Sequence, residues 1–296
     1  MLSKLRHFAH RSAGDLASLR SSVDVQPALK AIGAPDAPFA RVNGGTLGVG
    51  FIASVNGRQQ FLKCSVSADG QRNIEKEIRI LSHLYGEPLA IRRIEAFEDD
   101  AAPRIWLMMD VLCPVDAPLA PGDTLTLVQA YRSRLASLPV DCLEGSDTLG
   151  ALVEDAAAAI AELVAAGQIS SSMHDDLRSR LAFLAQEWPS FPGSIAHGDL
   201  GPSNILASNC RPVAIDWEDA FLSVDGYDYL YWLTFFENRR YYKRDVLGLT
   251  PLGIDAEVAL LAMILILKSG LALRANTHAG NQLTVEQRIG EVLALA

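Results

Sequence analysis

Three polar residues stand in a suggestive order along one short part of the chain. Asp199 and Asn204 lie in IAHGDLGPSNILA (195–207), and Asp216 lies in VAIDWE (213–218). The apolar run Val213, Ala214, Ile215 before Asp216 argues for a buried strand that ends in an acid. Two short strands around the turn SNCR (208–211) would set Asn204 and Asp216 side by side at one mouth. A carboxylate with a carboxamide oxygen is a hard-oxygen ligand set. It suits Mg²⁺ held jointly with substrate phosphates. Asp199 would then stand apart as the group that accepts a hydroxyl proton. Alone, Asp199 or Asn204 reads as an ordinary turn residue. The ordered set of three is what points to phosphoryl transfer.

That chemistry also needs a fixed cation and donors for the phosphates. Lys63 closes an apolar strand after a glycine-rich turn at Gly44, Gly45 and Gly48, and Glu77 follows fourteen residues later in a helical pattern. A Lys–Glu pair would hold positive charge against α- and β-phosphates. Backbone N–H groups of the turn, at Gly45 in particular, would approach phosphate oxygens. His197 reads as a buried, hydrogen-bonded loop residue rather than a second base.

The elements that must position these groups fall into two patterns. Residues 1–35 read as a helical extension ended by GAPDAP (33–38). Residues 36–112 read as strand, glycine turn, strand, helix, strand, strand, with an Asn56-Gly57 hairpin signal. After the proline-rich connector CPVDAPLAPGD (113–123), the pattern to residue 296 is mainly helical. The expected fold is therefore α+β and two-lobed: a small β-rich N-lobe that binds nucleotide, and a larger, mainly helical C-lobe that carries the catalytic and acceptor-binding residues.

HGDLGPSNIL (197–206), AIDWEDA (214–220) and GYDYL (226–230) together resemble the aminoglycoside phosphotransferase and choline kinase superfamily, a kinase-like fold. The resemblance runs in motif order over roughly residues 40–240 and is strongest in the catalytic segment. It implies Asp199 as the catalytic residue, Asn204 and Asp216 as magnesium ligands, and Lys63 with Glu77 as the pair on the phosphates. It implies that LMMDVL (107–112) joins the lobes and meets adenine through backbone groups from Asp110 to Leu112, and that Asp228 braces the catalytic loop. ATP is the implied donor, with GTP the alternative.

The sequence also departs from the pattern of the family it resembles. The glycine turn lacks a clean G-x-G-x-x-G, and Glu218 is read either as a contact to a second metal or as a solvent-facing acid. Gly198 stands where protein kinases usually carry Arg, and eight residues separate Asp216 from Asp225. That spacing leaves no room for a peptide-binding activation segment, so the acceptor is expected to be small. A sugar, an aminoglycoside and an amino alcohol all fit, with a generic hydroxylated metabolite or sugar placed first. A kinase-like protein that binds nucleotide or ligand without catalysis is the competing class. The intact set Lys63, Asp199, Asn204 and Asp216 argues against it.

Composition narrows the classes further. The 296 residues carry a formal net charge of −9, which is a poor basis for binding nucleic acid. Four cysteines lack metal-ligand or redox spacing and read as reduced thiols of a cytoplasmic protein. The N-terminal 22 residues show no continuous apolar stretch of the secretory kind. The apolar run Val258–Leu267 is ten residues long, too short to span a bilayer, and reads as a core helix. The aromatic group in 227–242 reads as a core helix rather than a cage for a quaternary amine, and RRYYKR (239–244) as a solvated face. No signal for an oligomeric state is present.

Overall fold

A computed structural model describes residues 13–42, 48–97, 103–143, 148–277 and 282–296. Two helices, α1 (Ala13–Ser22) and α2 (Gln26–Ala31), precede a five-stranded antiparallel sheet. Its strands are β1 (Phe39–Val42), β2 (Gly48–Val55), β3 (Arg58–Ser65), β4 (Arg92–Ala96) and β5 (Arg104–Asp110), in the order β1-β2-β3-β5-β4. Asn56 and Gly57 both take positive φ, 51° and 77°, and close the β2–β3 hairpin with Val55 opposite Arg58. That is the primed two-residue turn whose twist matches paired strands.

Alternation along β3 decides which residues face where. Leu62 and Cys64 are fully buried on the outer face, in a cluster with Val25, Ala28 and Leu29 from the α2 region and with Trp106 and Met108 of β5. The end of the N-terminal segment thus covers one side of the sheet. Phe61 and Lys63 point to the other side. There the long helix α3 (Ala68–Leu84), capped by the Ser67 hydroxyl on Gly70 N, lies against the sheet. Ile74, Ile78, Leu81 and Leu84 of α3 join Ile105, Leu107 and Met109 in a core that continues into the helical half.

That half contains α4 (Pro121–Leu135), α5 (Leu149–Ala165), α6 (Ser171–Glu187), α7 (Tyr227–Leu233), α8 (Ile254–Arg274) and α9 (Val285–Leu293). Short strands are threaded between the helices. β6 (Cys113–Pro114), β8 (Ile205–Ser208) and β9 (Arg211–Ala214) form one small sheet; β7 (Gly193–Ala196) and β10 (Phe221–Val224) form another. The run 258–267 is part of the 21-residue α8, which is long and apolar enough to cross a membrane. Its surroundings explain that composition: 78 % of its most apolar window is buried inside the fold, against α5, α6, α7 and α9. The aromatic segment is helical only over Tyr227–Leu233, where every side chain is buried, and it then tightens into a 3₁₀ stretch, Phe236–Tyr241.

Leu29 tests whether the N-terminal segment belongs to the sheet's core. Leu29→Ala removes a fully buried side chain and is expected to cost about 2–5 kcal/mol. Urea unfolding measures it; a loss below about 0.5 kcal/mol would mean that this helix is dispensable to the sheet.

Candidate active site

The segment that carries Asp199 starts where β7 ends. β7 pairs with β10 so that Ala196 faces Phe221, which brings the following loop against Asp219. Gly198 takes φ +82°, and a Cβ there would lie 2.2 Å from the Asp219 carbonyl oxygen. Glycine is therefore required twice over, by backbone conformation and by space. His197 and Gly198 donate their backbone N–H groups to the Asp228 carboxylate at 2.8 and 3.1 Å, and the Tyr131 hydroxyl donates to it at 2.6 Å. Burial pushes the Asp228 carboxyl upward, with His197 and these donors pulling the other way. Asp228 touches none of the groups that would meet a substrate; it fixes the loop. His197 is fully buried, with Nε2 2.7 Å from the Ile215 carbonyl oxygen and its ring against Trp217.

Asp199 follows, with its Oδ1 accepting a hydrogen bond from the buried Tyr231 hydroxyl. Nothing in the spacing of the motif singled out Tyr231; its only mark was membership of an aromatic run that reads as core. A 3₁₀ turn, Pro202–Asn204, then carries Asn204 back toward Asp199. Asn204 Nδ2 donates to the Asp199 backbone carbonyl at 2.8 Å, which leaves Oδ1 of the amide for another partner. β8 and β9 pair with Ile205 opposite Ala214, so the ends of the hairpin hold Asn204 and Asp216 near one another. Asp216 takes left-handed backbone angles, φ 68° and ψ 54°. Asp tolerates that region better than most residues, and its side chain is 31 % exposed.

Lys63 brings the sheet into the site. Its Nζ is hydrogen-bonded to Asp216, lies 2.7 Å from Glu77 Oε2 and 3.5 Å from Glu218 Oε2. Gly48 makes room for this side chain: a Cβ there would lie 3.1 Å from Lys63 Cε. Burial opposes the Lys63 charge, but Asp216, Glu218 and Glu77 outweigh it and hold the ammonium well above its usual pKa. Glu218 is buried beside Lys63, so the solvent-facing alternative for it does not hold. Burial pushes Glu218 up to about 8, against the pull of Lys63. Three carboxylates around one ammonium leave an excess of negative charge. Glu77, Asp216 and Glu218 offer oxygens all within 4.8 Å of one another. With the free amide oxygen of Asn204 nearby, this all-oxygen donor set fits magnesium.

The remaining expected contacts are Asp110, Leu112 and the glycine turn. Asp110 ends β5, and its carboxylate accepts from Gln60 Nε2 at 2.6 Å; Leu112 is half-buried just beyond it. Gly44 and Gly45 lie outside the described residues. α3 ties the two halves together, as buried Lys76 donates to the Ala220 carbonyl at 2.9 Å and Ala214 N donates to the Tyr85 hydroxyl at 3.2 Å.

Comparison with known proteins bears on the family and the fold. Residues 41–244 match the model of a family described as the phosphotransferase enzyme family. None of the curated proteins matches the sequence. Among solved structures, a thermostable mutant of aminoglycoside phosphotransferase APH(4)-Ia, in a ternary complex with AMP-PNP and hygromycin B, superposes with a TM-score of 0.56 at 15 % identity, over 92 % of this chain and 98 % of that one. Spectinomycin phosphotransferase APH(9)-Ia, in complex with ADP and spectinomycin, gives 0.51 at 12 % identity, over 87 % and 92 %. These likenesses are of fold.

Two outcomes follow from the geometry. Tyr231→Phe keeps the ring and removes the donor to Asp199. A hydrogen bond to a charged group contributes about 1.5–3 kcal/mol, so kcat should fall about 10- to 100-fold with little change in KM for the nucleotide; an unchanged kcat in steady-state phosphoryl transfer would refute the role. Glu218→Gln tests the crowded carboxylates. Because the folded-state pKa of Glu218 is raised, its contribution favours the folded state below the unfolded value of 4.5 and is lost as pH climbs to about 8. Without added metal, the Tm of Glu218→Gln should therefore gain on that of the wild type as pH rises from 6 to 9. A constant difference would contradict the assignment.

Proposed function

The chain belongs to the phosphotransferase enzyme family, and from that premise we propose that it is a magnesium-dependent kinase that moves the γ-phosphoryl group of ATP to a hydroxyl of a small molecule. The observation that carries this reading is the meeting of Lys63, Glu77, Asn204 and Asp216 beside an Asp199 whose Oδ1 is already committed to Tyr231.

The Asp199 carboxylate, held in place by Tyr231, is the group that meets the acceptor. It orients the acceptor hydroxyl and takes its proton as the oxygen attacks phosphorus. Lys63, held by Glu77, offsets charge on the α- and β-phosphates. Asn204 Oδ1 and the Asp216 carboxylate would hold magnesium, which when bound neutralises charge on the transferring phosphates. The residues from Asp110 to Leu112 are assigned to the adenine, through backbone groups. GTP remains the alternative donor for the same machinery. A small acceptor accords with the eight-residue interval between Asp216 and Asp225. The cytoplasm, where ATP and reduced thiols coexist, is the compartment in which this chemistry fits.

Two measurements test the reading together. A screen of sugars, aminoglycosides and amino alcohols with ATP and Mg²⁺, read by mass, should return at least one product heavier by a phosphoryl group. Asp199→Ala should lose turnover at least about 1,000-fold, yet keep the thermal stabilisation that MgATP gives the wild type. Phosphorylation near the wild-type rate by that variant would overturn the assignment. Stabilisation by MgATP with no transfer to any acceptor would favour a nucleotide-binding protein.

A further inference from the structure

α8 is almost wholly apolar and buried, and Lys268 is its one charged residue between Glu257 and Arg274. A charge in such surroundings must be offset by nearby groups. Lys268 Nζ donates to the Thr234 hydroxyl at 2.7 Å. It also lies 3.9 Å from the centroid of the Tyr231 ring and 3.5 Å from that of Phe235. The two rings meet at 65° with centroids 5.7 Å apart, so the ammonium sits in an aromatic corner.

The place of this corner gives it meaning. The Tyr231 hydroxyl donates to Asp199. Phe235 abuts Gly201 of the catalytic loop, where a Cβ would come 2.5 Å from the ring. Arg288 adds a second cation, donating to the Thr234 carbonyl at 3.1 Å. Two aromatic faces with a hydroxyl are the chemistry that recognises an ammonium ion. Here the protein's own lysine fills that position, one ring away from the proposed base.

We propose that Lys268 selects against acceptors that carry an ammonium group near the reacting hydroxyl, so that the acceptor is an uncharged polyol or sugar. The proposal rests on the phosphotransferase reading of the site and narrows its substrate class. An incoming ammonium would find its aromatic partners occupied and a like charge at short range. Discrimination by an opposing charge needs no new attractive contact. The aromatic run is thus core for most of its length, yet two of its rings form a cation site that is filled from within.

The experiment has a kinetic and a binding arm. Matched pairs, glucose with glucosamine and ethylene glycol with ethanolamine, are compared as acceptors for the wild type, Lys268→Ala and Lys268→Met. The wild type should favour the uncharged member at least about tenfold in kcat/KM, and Lys268→Ala should move that ratio toward the amine by a similar factor. In the binding arm, thermal shifts are read with methylammonium chloride against sodium chloride at equal ionic strength. Methylammonium should stabilise Lys268→Ala, whose corner is vacated, and neither the wild type nor Lys268→Met, whose side chain still fills it. A wild type that prefers the amines, or a folded Lys268→Ala that neither shifts its ratio nor gains from methylammonium, would overturn the proposal. If no acceptor is phosphorylated by any form, the phosphotransferase reading fails for these acceptors, and the binding arm alone decides the role of Lys268.

Discussion

The ammonium of Lys63 is the point on which the two halves of this protein converge. It is carried by a sheet strand, paired with Glu77 on the helix behind that sheet, and bonded to Asp216 beyond the β8–β9 hairpin. Residues from three separate parts of the fold must be placed correctly for this contact to exist. The reverse also holds, because three carboxylates gathered this closely would repel one another without a cation among them. Lys63 therefore holds these carboxylates together, and under the proposed function it is the charge that the phosphates of a nucleotide would meet. Burial is the first cause of the elevated pKa of Glu218, and the neighbouring carboxylates Asp216, Asp219 and Glu77 add to it against the pull of Lys63.

Around that centre the fold is built to prevent adjustment. α3 is linked to the catalytic half through Lys76 on the Ala220 carbonyl and through the Tyr85 hydroxyl on Ala214 N. Asp228 gathers two consecutive backbone N–H groups and one phenol from a helix further upstream. Buried polar groups that are fully partnered in this way specify one arrangement, since any other leaves a donor or acceptor unpaired at high cost. The loop carrying Asp199 is thus set by the interior of the protein. Gly198, pressed against Asp219, completes the constraint and leaves no space for the side chain that a regulated protein kinase places there.

Behind Asp199, the buried apolar helix α8 packs against the aromatic segment that follows Asp228. A single aromatic ring, Tyr231, connects the two functions: its hydroxyl meets Asp199 and its face meets Lys268. Reactivity and charge selection are in this way joined in one side chain, which is why a stretch that reads as hydrophobic core also bears on the chemistry.

Much of this was legible in the chain itself. Most of the strand and helix order through residue 112 follows from alternation, the Asn56-Gly57 turn and the apolar spacing of the helix, all of which are local properties; the structure has three strands before the helix where the pattern gave two. The ordered set Asp199, Asn204, Asp216 is also local, because one hairpin positions two of the three. The length of α8 was not evident from its apolar core alone; its ends are polar enough to read as boundaries, and only packing against four other helices carries the helix to 21 residues. Glu218 read equally well as a solvent-facing acid, since only tertiary contact brings it beside Lys63. Tyr231 had no mark beyond its aromatic run and Lys268 had none, standing 32 and 69 residues after Asp199 in segments that look purely structural. The sequence by itself determined which chemical groups are available and the local turns that present them. The tertiary structure alone decided which distant groups share a charge or a ring face, because those interactions fall off within a few ångströms and depend on where separate elements come to rest.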